Sequence, residues 1–158
     1  MNKLKLYLET SVWNFLFAGD APAKRDATKE FFRKVKQFDI FASEIVFREI
    51  SKAPARKRKQ LENIIEKAAP KMLSVSTAAA NLAEDYIKSF ALPERALEDA
   101  LHAAVSTDHG MDALLTWNMK HLANLRRKQN INAVNIKNGY YKMLEIITPE
   151  EIIYNESE

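Results

Sequence analysis

Apolar positions in this chain form short runs that alternate with stripes of helical spacing, and the alternation predicts an α/β order of elements. Lys5–Glu9 reads as a first strand. Ala27, Phe31, Val35 and Phe38 then recur at helical spacing, with Lys24, Arg25, Lys29, Arg33 and Lys34 mostly on the other side. Asp39–Ala42 is a second strand, and Ser43 can cap a helix that turns Val46, Phe47 and Ile50 inward. Pro54 opens another helix, with Leu61, Ile64, Ile65 and Ala68 on one face, and Pro70 stops it. Met72–Val75 is a third strand. Thr77 starts a helix carrying Ala79, Leu82, Ala83 and Tyr86 on one face. Pro93 starts the next, with Leu97, Ala100, Leu101, Ala104 and Val105 inward and Gly110 at its end. Ala113–Trp117 is a fourth strand, Met119–Lys128 a short basic helix and Asn132–Ile136 a fifth strand. The tail Glu145–Ile153 is apolar enough to dock, whereas residues 154–158 are expected to fray. Trp13, Phe15 and Phe17 are assigned mainly to the core.

Strands alternating with helices predict a parallel sheet with helices on both faces. Ligands of such sheets bind outside the carboxyl ends of the strands, so polar residues just after a strand are the ones to inspect. Glu9 closes the first strand and Asn118 follows the fourth, in "LLTWN". Glu49 lies in the helix entered from the second strand. Asp99 lies near the start of the helix that leads into the fourth strand. A helix entering a parallel strand runs back across the sheet, so its first half lies near the carboxyl edge. All four positions can therefore reach one rim. Asp108 and Asp112 flank the start of the fourth strand and fall at the opposite edge. Glu44 suits the first turn of a helix and is read as structural.

Composition changes this picture little. With 158 residues, 47% of them apolar and 28% charged, the chain is expected to form a single domain, residues 1–158, of ordinary globular character. No apolar run approaches the roughly 18 residues of a membrane span, and no signal-peptide pattern follows the charged start. The sequence contains no cysteine, which excludes disulfides and thiolate zinc sites and fits a cytoplasmic location. A net charge of +3 is as compatible with a lysine-rich surface as with an anionic partner. The basic run "ARKRKQ" at 55–60 lies opposite an apolar stripe and reads first as a solvated face. Arg126, Arg127 and Lys128 follow the fourth strand and have better reason to face the rim and a phosphate backbone. The three histidines show no metal-ligand spacing.

Taken singly, each rim acid is most simply a cap or part of a solvated helix face. Taken together, three carboxylates and an amide repel one another unless a cation sits among them. Oxygen-only ligands suit Mg²⁺ or Mn²⁺, and such an ion supplies what phosphodiester hydrolysis requires.

"LYLETSVW" resembles the opening motif of PIN-domain nucleases, with Glu9 at the first acid position and Thr10 and Ser11 matching as supporting residues. "SEIVFREI" resembles their second motif, in which Ser43 precedes Glu49 by six residues. "EDALHAA" resembles the third, with Asp99 as the acid. "LLTWN" resembles the fourth, with Thr116 matching and Asn118 where many members have an acid. Size and layout resemble the VapC-like toxin branch. The resemblance implies a three-layer α/β/α fold with a five-stranded parallel sheet of order 3-2-1-4-5. It also implies an Mg²⁺- or Mn²⁺-dependent endoribonuclease with Glu9, Glu49 and Asp99 as metal ligands, Asn118 beside them as a fourth site residue, and a small antitoxin as partner. A homodimer is compatible with it; a membrane partner is not. Glu9 departs from the usual aspartate by one methylene, and Asn118 makes the site less negative.

A phospho-receiver of the same layering would need an acceptor aspartate after the third strand, and "KMLSVST" has no acid. The remaining alternative is a degenerate PIN fold that binds RNA or a protein without cleaving it.

Overall fold

A computed structural model describes residues 2–156. Its five strands are all parallel and lie in the order β3-β2-β1-β4-β5. They are β1 (Lys5–Leu8), β2 (Asp39–Ser43), β3 (Lys71–Leu73), β4 (Ala113–Leu115) and β5 (Glu145–Ile147). The order reverses between β1 and β4, which makes the carboxyl edge there the natural place for a site. Helices cover both faces, as an all-parallel sheet requires. They are α1 (Thr10–Phe15), α2 (Pro22–Arg33), α3 (Glu44–Ile50), α4 (Ala55–Ala68), α5 (Thr77–Lys88), α6 (Leu97–Asp108), α7 (Leu125–Lys137) and α8 (Pro149–Glu156). One core joins Tyr7 and Phe41 to α5, α6 and α7. The other joins Leu6, Leu8 and Ala42 to α1, α2, α4 and α8. Strand alternation divides β1 between them, Leu6 and Leu8 to one side and Tyr7 to the other. Asp112 lies at the amino edge, where its carboxylate takes the Lys5 N–H at 2.7 Å.

Several predicted elements are corrected. Asn132–Ile136 is not a strand but part of α7, because Asn132 and Asn135 are buried and bonded on the helix face that Ile131 and Val134 share. The fifth strand is Glu145–Ile147, within the stretch assigned to a docking tail. Residues 119–124 form turns rather than a helix, and Asn124 caps α7 through the Arg127 N–H at 3.0 Å. A short helix, α1, follows Glu9 directly. Of the aromatic residues assigned to core, Trp13 is fully buried, Phe15 is half-buried and Phe17 is exposed. Phe47 and Leu97 face outward, the latter because the buried face of α6 is rotated toward His102, Ala103 and Ser106. The expected fraying of 154–158 falls partly on residues 157–158, outside those described; α8 continues to Glu156.

Candidate active site

Glu9 stands where β1 gives way to α1, and it caps that helix by accepting the Ser11 N–H at 3.1 Å. The same oxygen, Oε1, accepts the Ser11 hydroxyl at 2.5 Å and the Thr116 hydroxyl at 2.7 Å. Thr116 also accepts the Asn118 N–H at 3.0 Å, and Ser11 Oγ accepts the Trp117 N–H at 2.8 Å. Hydroxyls from the β1 and β4 ends thus lock the switch point of the sheet around one carboxylate. Glu9 is only 4% exposed, and burial pushes its carboxyl upward. The nearby His102 charge and the two hydroxyls pull the other way and only partly offset this.

α3 lies across the rim, and Glu49 near its end meets Thr10, whose hydroxyl donates to Glu49 Oε1 at 2.7 Å. The same oxygen bonds His102 Nε2, while His102 Nδ1 lies 2.7 Å from the Tyr7 hydroxyl, itself 2.7 Å from Ser43 Oγ. His102 is completely buried. Burial alone would hold its proton affinity down, but the bond to Glu49 and the charges of Glu9, Glu49 and Asp99 raise it overall. Burial likewise pushes Glu49 up, yet the His102 bond and charge, with Thr10 and Lys52, bring it below the usual carboxylate range. The two partners agree: the pair favours imidazolium and carboxylate.

Asp99, in the first turn of α6, is the third carboxylate. Its Oδ2 accepts Asn118 Nδ2 at 3.1 Å and lies 3.1 Å from His121 Nδ1. Burial raises Asp99, against the pull of His102 and His121. The Asn118 amide oxygen accepts the His121 N–H at 3.0 Å, so this side chain orients Asp99 with one end and the following turn with the other.

Glu9, Glu49, Asp99 and Asn118 therefore lie together at the carboxyl rim, with Thr10, Ser11 and Thr116 as their hydrogen-bond partners. Arg126 is exposed at the start of α7, where Arg127 instead bonds the Ala91 carbonyl at 2.9 Å and Lys128 is half-buried. The spacing of the histidines along the chain assigned them no metal-binding role, yet the fold brings two of them to the site. His102 sits at its centre and His121 at its side. One signal was legible, since His102 follows Asp99 by three residues and so shares its helix face.

The donor chemistry suits a hard cation. Among the described residues each carboxylate commits one oxygen to protein donors and leaves the other, Glu9 Oε2, Glu49 Oε2 and Asp99 Oδ1, without a hydrogen bond. Ligand atoms of Glu9, Glu49 and His102 lie within 4.8 Å of one another. Both His102 nitrogens are already engaged, so the carboxylates are the ligand candidates and His102 the group that orients Glu49.

Known structures share this fold. The VapC20 toxin of Mycobacterium tuberculosis, described as cleaving the sarcin-ricin loop, matches at 17% identity and a TM-score of 0.58, over 73% of this chain and 91% of its own. A toxin-antitoxin complex from Klebsiella pneumoniae matches at 19% identity and a TM-score of 0.54, over 73% and 88%. VapBC2 of Rickettsia felis, bound to a promoter DNA fragment, matches at 16% identity and 0.52, over 90% and 98%. A comparison with curated protein sequences finds no match. The family model of the PIN domain matches residues 6–137, the span that contains every rim residue described above, and the chain belongs to the PIN domain family.

Proposed function

We propose that this protein is a divalent-cation-dependent endoribonuclease and the toxin of a toxin-antitoxin pair. PIN domains are generally nucleases, which supports the reaction class. The observation that carries the reading is the set of three buried or half-buried rim carboxylates, each oriented through one oxygen and free at the other. Glu9, Glu49 and Asp99 would hold Mg²⁺ or Mn²⁺, and such an ion, when bound, supplies Lewis-acid polarisation of a phosphoryl group and activation of water. The protein's own part is preorganisation. Ser11 and Thr116 fix Glu9, His102 and Thr10 fix Glu49, and Asn118 and His121 fix Asp99, so none of the carboxylates has to reorient as substrate arrives. A neutral Asn118 beside Asp99 limits repulsion among the acids. The hydrogen-bonded Tyr7–His102–Glu49 chain supplies a compensating positive centre from beneath.

A small antitoxin is the proposed partner, in keeping with neighbours of this fold whose structures are toxin-antitoxin assemblies. Among the described residues no helix is long and apolar enough to cross a membrane. Incubating the protein with a single-stranded oligoribonucleotide tests the activity. Fragments that form with Mn²⁺ and not with chelator are expected. A protein that binds the RNA and never cleaves it, with any divalent ion, would establish the degenerate binding fold instead.

A further inference from the structure

Two exposed apolar side chains, Met119 and Tyr154, share one cavity of about 560 Å³ between α2 and the start of α8. Its floor is Trp117, almost completely buried and held by the bond from its Nε1 to Thr28 Oγ1 at 2.9 Å. The cavity adjoins the acid cluster through the chain itself. The residues on either side of Trp117 serve the carboxylates, since Thr116 bonds Glu9 and Asn118 bonds Asp99. Thr148 also lines the cavity and directly follows β5, so the opening lies at the carboxyl edge.

The charged groups of this cavity are not paired with one another. Lys24 is half-buried, its ammonium 5.5 Å from the centre of the Phe15 ring and 5.7 Å from that of Trp117. Among the described residues it has no acid partner. Two carboxylates line the same space. Glu151 is tied into the start of α8, its N–H donating to Thr148 Oγ1 at 3.3 Å and its Oε1 accepting the Thr148 N–H at 3.4 Å. Glu150 is exposed and has no such bond among the described residues. The helix dipole accounts for acids in the first turn of α8, but not for a half-buried cation left unpaired beside them. A flat ring with an acceptor for Lys24 and adjacent donors for Glu150 satisfies all these groups at once.

Among the RNA bases, only guanine has two adjacent donors, N1–H and N2–H, beside an acceptor, O6, on its Watson–Crick edge. A carboxylate can accept both donors together. We infer that this cavity is a guanine pocket, which takes a base of single-stranded RNA next to the phosphate held at the acid cluster. Glu150 accepts N1–H and N2–H, Lys24 donates to O6, and Tyr154 and Met119 pack on the ring. This assignment rests on the nuclease reading for its substrate and adds the base that is read beside the cut.

The test uses the Asp99→Asn protein with chelator and fluorescein-labelled uridine oligoribonucleotides carrying one guanosine, one inosine or one 7-deazaguanosine, with binding read by anisotropy. Inosine lacks only the N2 amino group and should bind about tenfold more weakly, the worth of one hydrogen bond to a charged acceptor. 7-Deazaguanosine keeps the Watson–Crick edge and should match guanosine. Adding Glu150→Gln should remove most of the guanosine-to-inosine ratio. Tyr154→Ala should weaken binding of the guanosine oligonucleotide about tenfold, and Tyr154→Phe should not. With the wild type and Mn²⁺, cuts in an RNA of mixed sequence should fall at one fixed offset from guanosine. Equal binding of guanosine and inosine, where the wild type cleaves RNA, would overturn the pocket and leave the nuclease reading standing, with the cavity left to a protein segment. A ratio that survives Glu150→Gln intact would also overturn it. A guanosine preference that Glu150→Gln abolishes, in a protein whose wild type cleaves nothing, would keep the pocket and overturn the nuclease reading.

Discussion

Replacing His102 by alanine tests the buried pair beneath the rim. The substitution deletes the group that bonds Glu49 while leaving Tyr7 its Ser43 partner, so the chief loss is the compensation of one carboxylate. Breaking a buried ion pair by removing one member costs about 3–5 kcal/mol. The Glu49 side chain retains 24% exposure, which places the cost at the lower end, about 3 kcal/mol. The lost imidazole leaves at most about 65 Å³ of cavity, worth about 1.5 kcal/mol. Together these predict a destabilisation of about 4.5 kcal/mol where both groups are charged. The pH window follows from the directions of the shifts. His102 is raised above its ordinary 6.5, so its contribution is complete below that value and is lost as pH rises through the folded value. Glu49 is lowered below its ordinary 4.5, so its contribution is complete above that value and is lost as pH falls through the folded one. The difference between wild type and variant should therefore peak between 4.5 and 6.5. It should decline toward the cavity cost, about 1.5 kcal/mol, in acid, and decline also as pH rises through the raised folded value of His102. Urea unfolding in the presence of chelator, repeated across this range, measures it directly. A difference that is the same at every pH would mean that the imidazole only fills space, and the electrostatic account of the site would be wrong.

Three other substitutions probe separate parts of the arrangement. Asn118→Asp exchanges the donor 3.1 Å from Asp99 for a second carboxylate, so the metal-free protein should lose about 1–2 kcal/mol while Mn²⁺ binding tightens by a similar amount; weaker binding by calorimetry would place Asn118 away from the cation. Thr116→Val removes a donor to Glu9 and the acceptor of the Asn118 N–H, and should cost about 2–3 kcal/mol in urea unfolding, with Thr116→Ser restoring most of it; equal stabilities of the serine and valine variants would count against the hydroxyl's role. Ser76→Ala deletes the cap of α5, whose oxygen accepts the Ala79 N–H at 3.0 Å and whose proton bonds Asp108, for a loss of about 1–2 kcal/mol; an unchanged midpoint would show that the helix needs no side-chain cap.

The central strands were legible because they are short apolar runs buried on both faces. Their order was legible only through the motifs, since periodicity says nothing of which strand neighbours which. The fifth strand was misplaced for a local reason. Asn132 and Asn135 count as polar in any pattern, yet both are buried, with Asn132 bonded to the Leu144 backbone and Asn135 to Tyr86 and Thr107. Read as outward-facing, they turn a helix into an alternating strand. β5 itself has three residues, too few to carry a period. At the site, Glu9 was legible from its place after a strand, and Glu49 and Asp99 from the helices that carry them, because a parallel sheet fixes which edge each helix end reaches. His102 was not, because its partners Tyr7 and Glu49 lie 95 and 53 residues away and only the fold brings them together. Glu9 answers both readings of a lone acid at a strand end: it caps α1 and also faces the cluster.

The central claim is that the rim carboxylates act together as the ligands of a catalytic cation. Asp99→Asn tests it most directly, since it removes one charge and keeps the side chain's size. The account predicts that the variant unfolds at the wild-type urea midpoint or above it, because a buried carboxylate raised by desolvation costs stability when ionised. It also predicts that Mn²⁺-dependent cleavage of single-stranded RNA falls below detection and that calorimetric Mn²⁺ binding weakens. A variant that cleaves at the wild-type rate with the same Mn²⁺ dependence would contradict it.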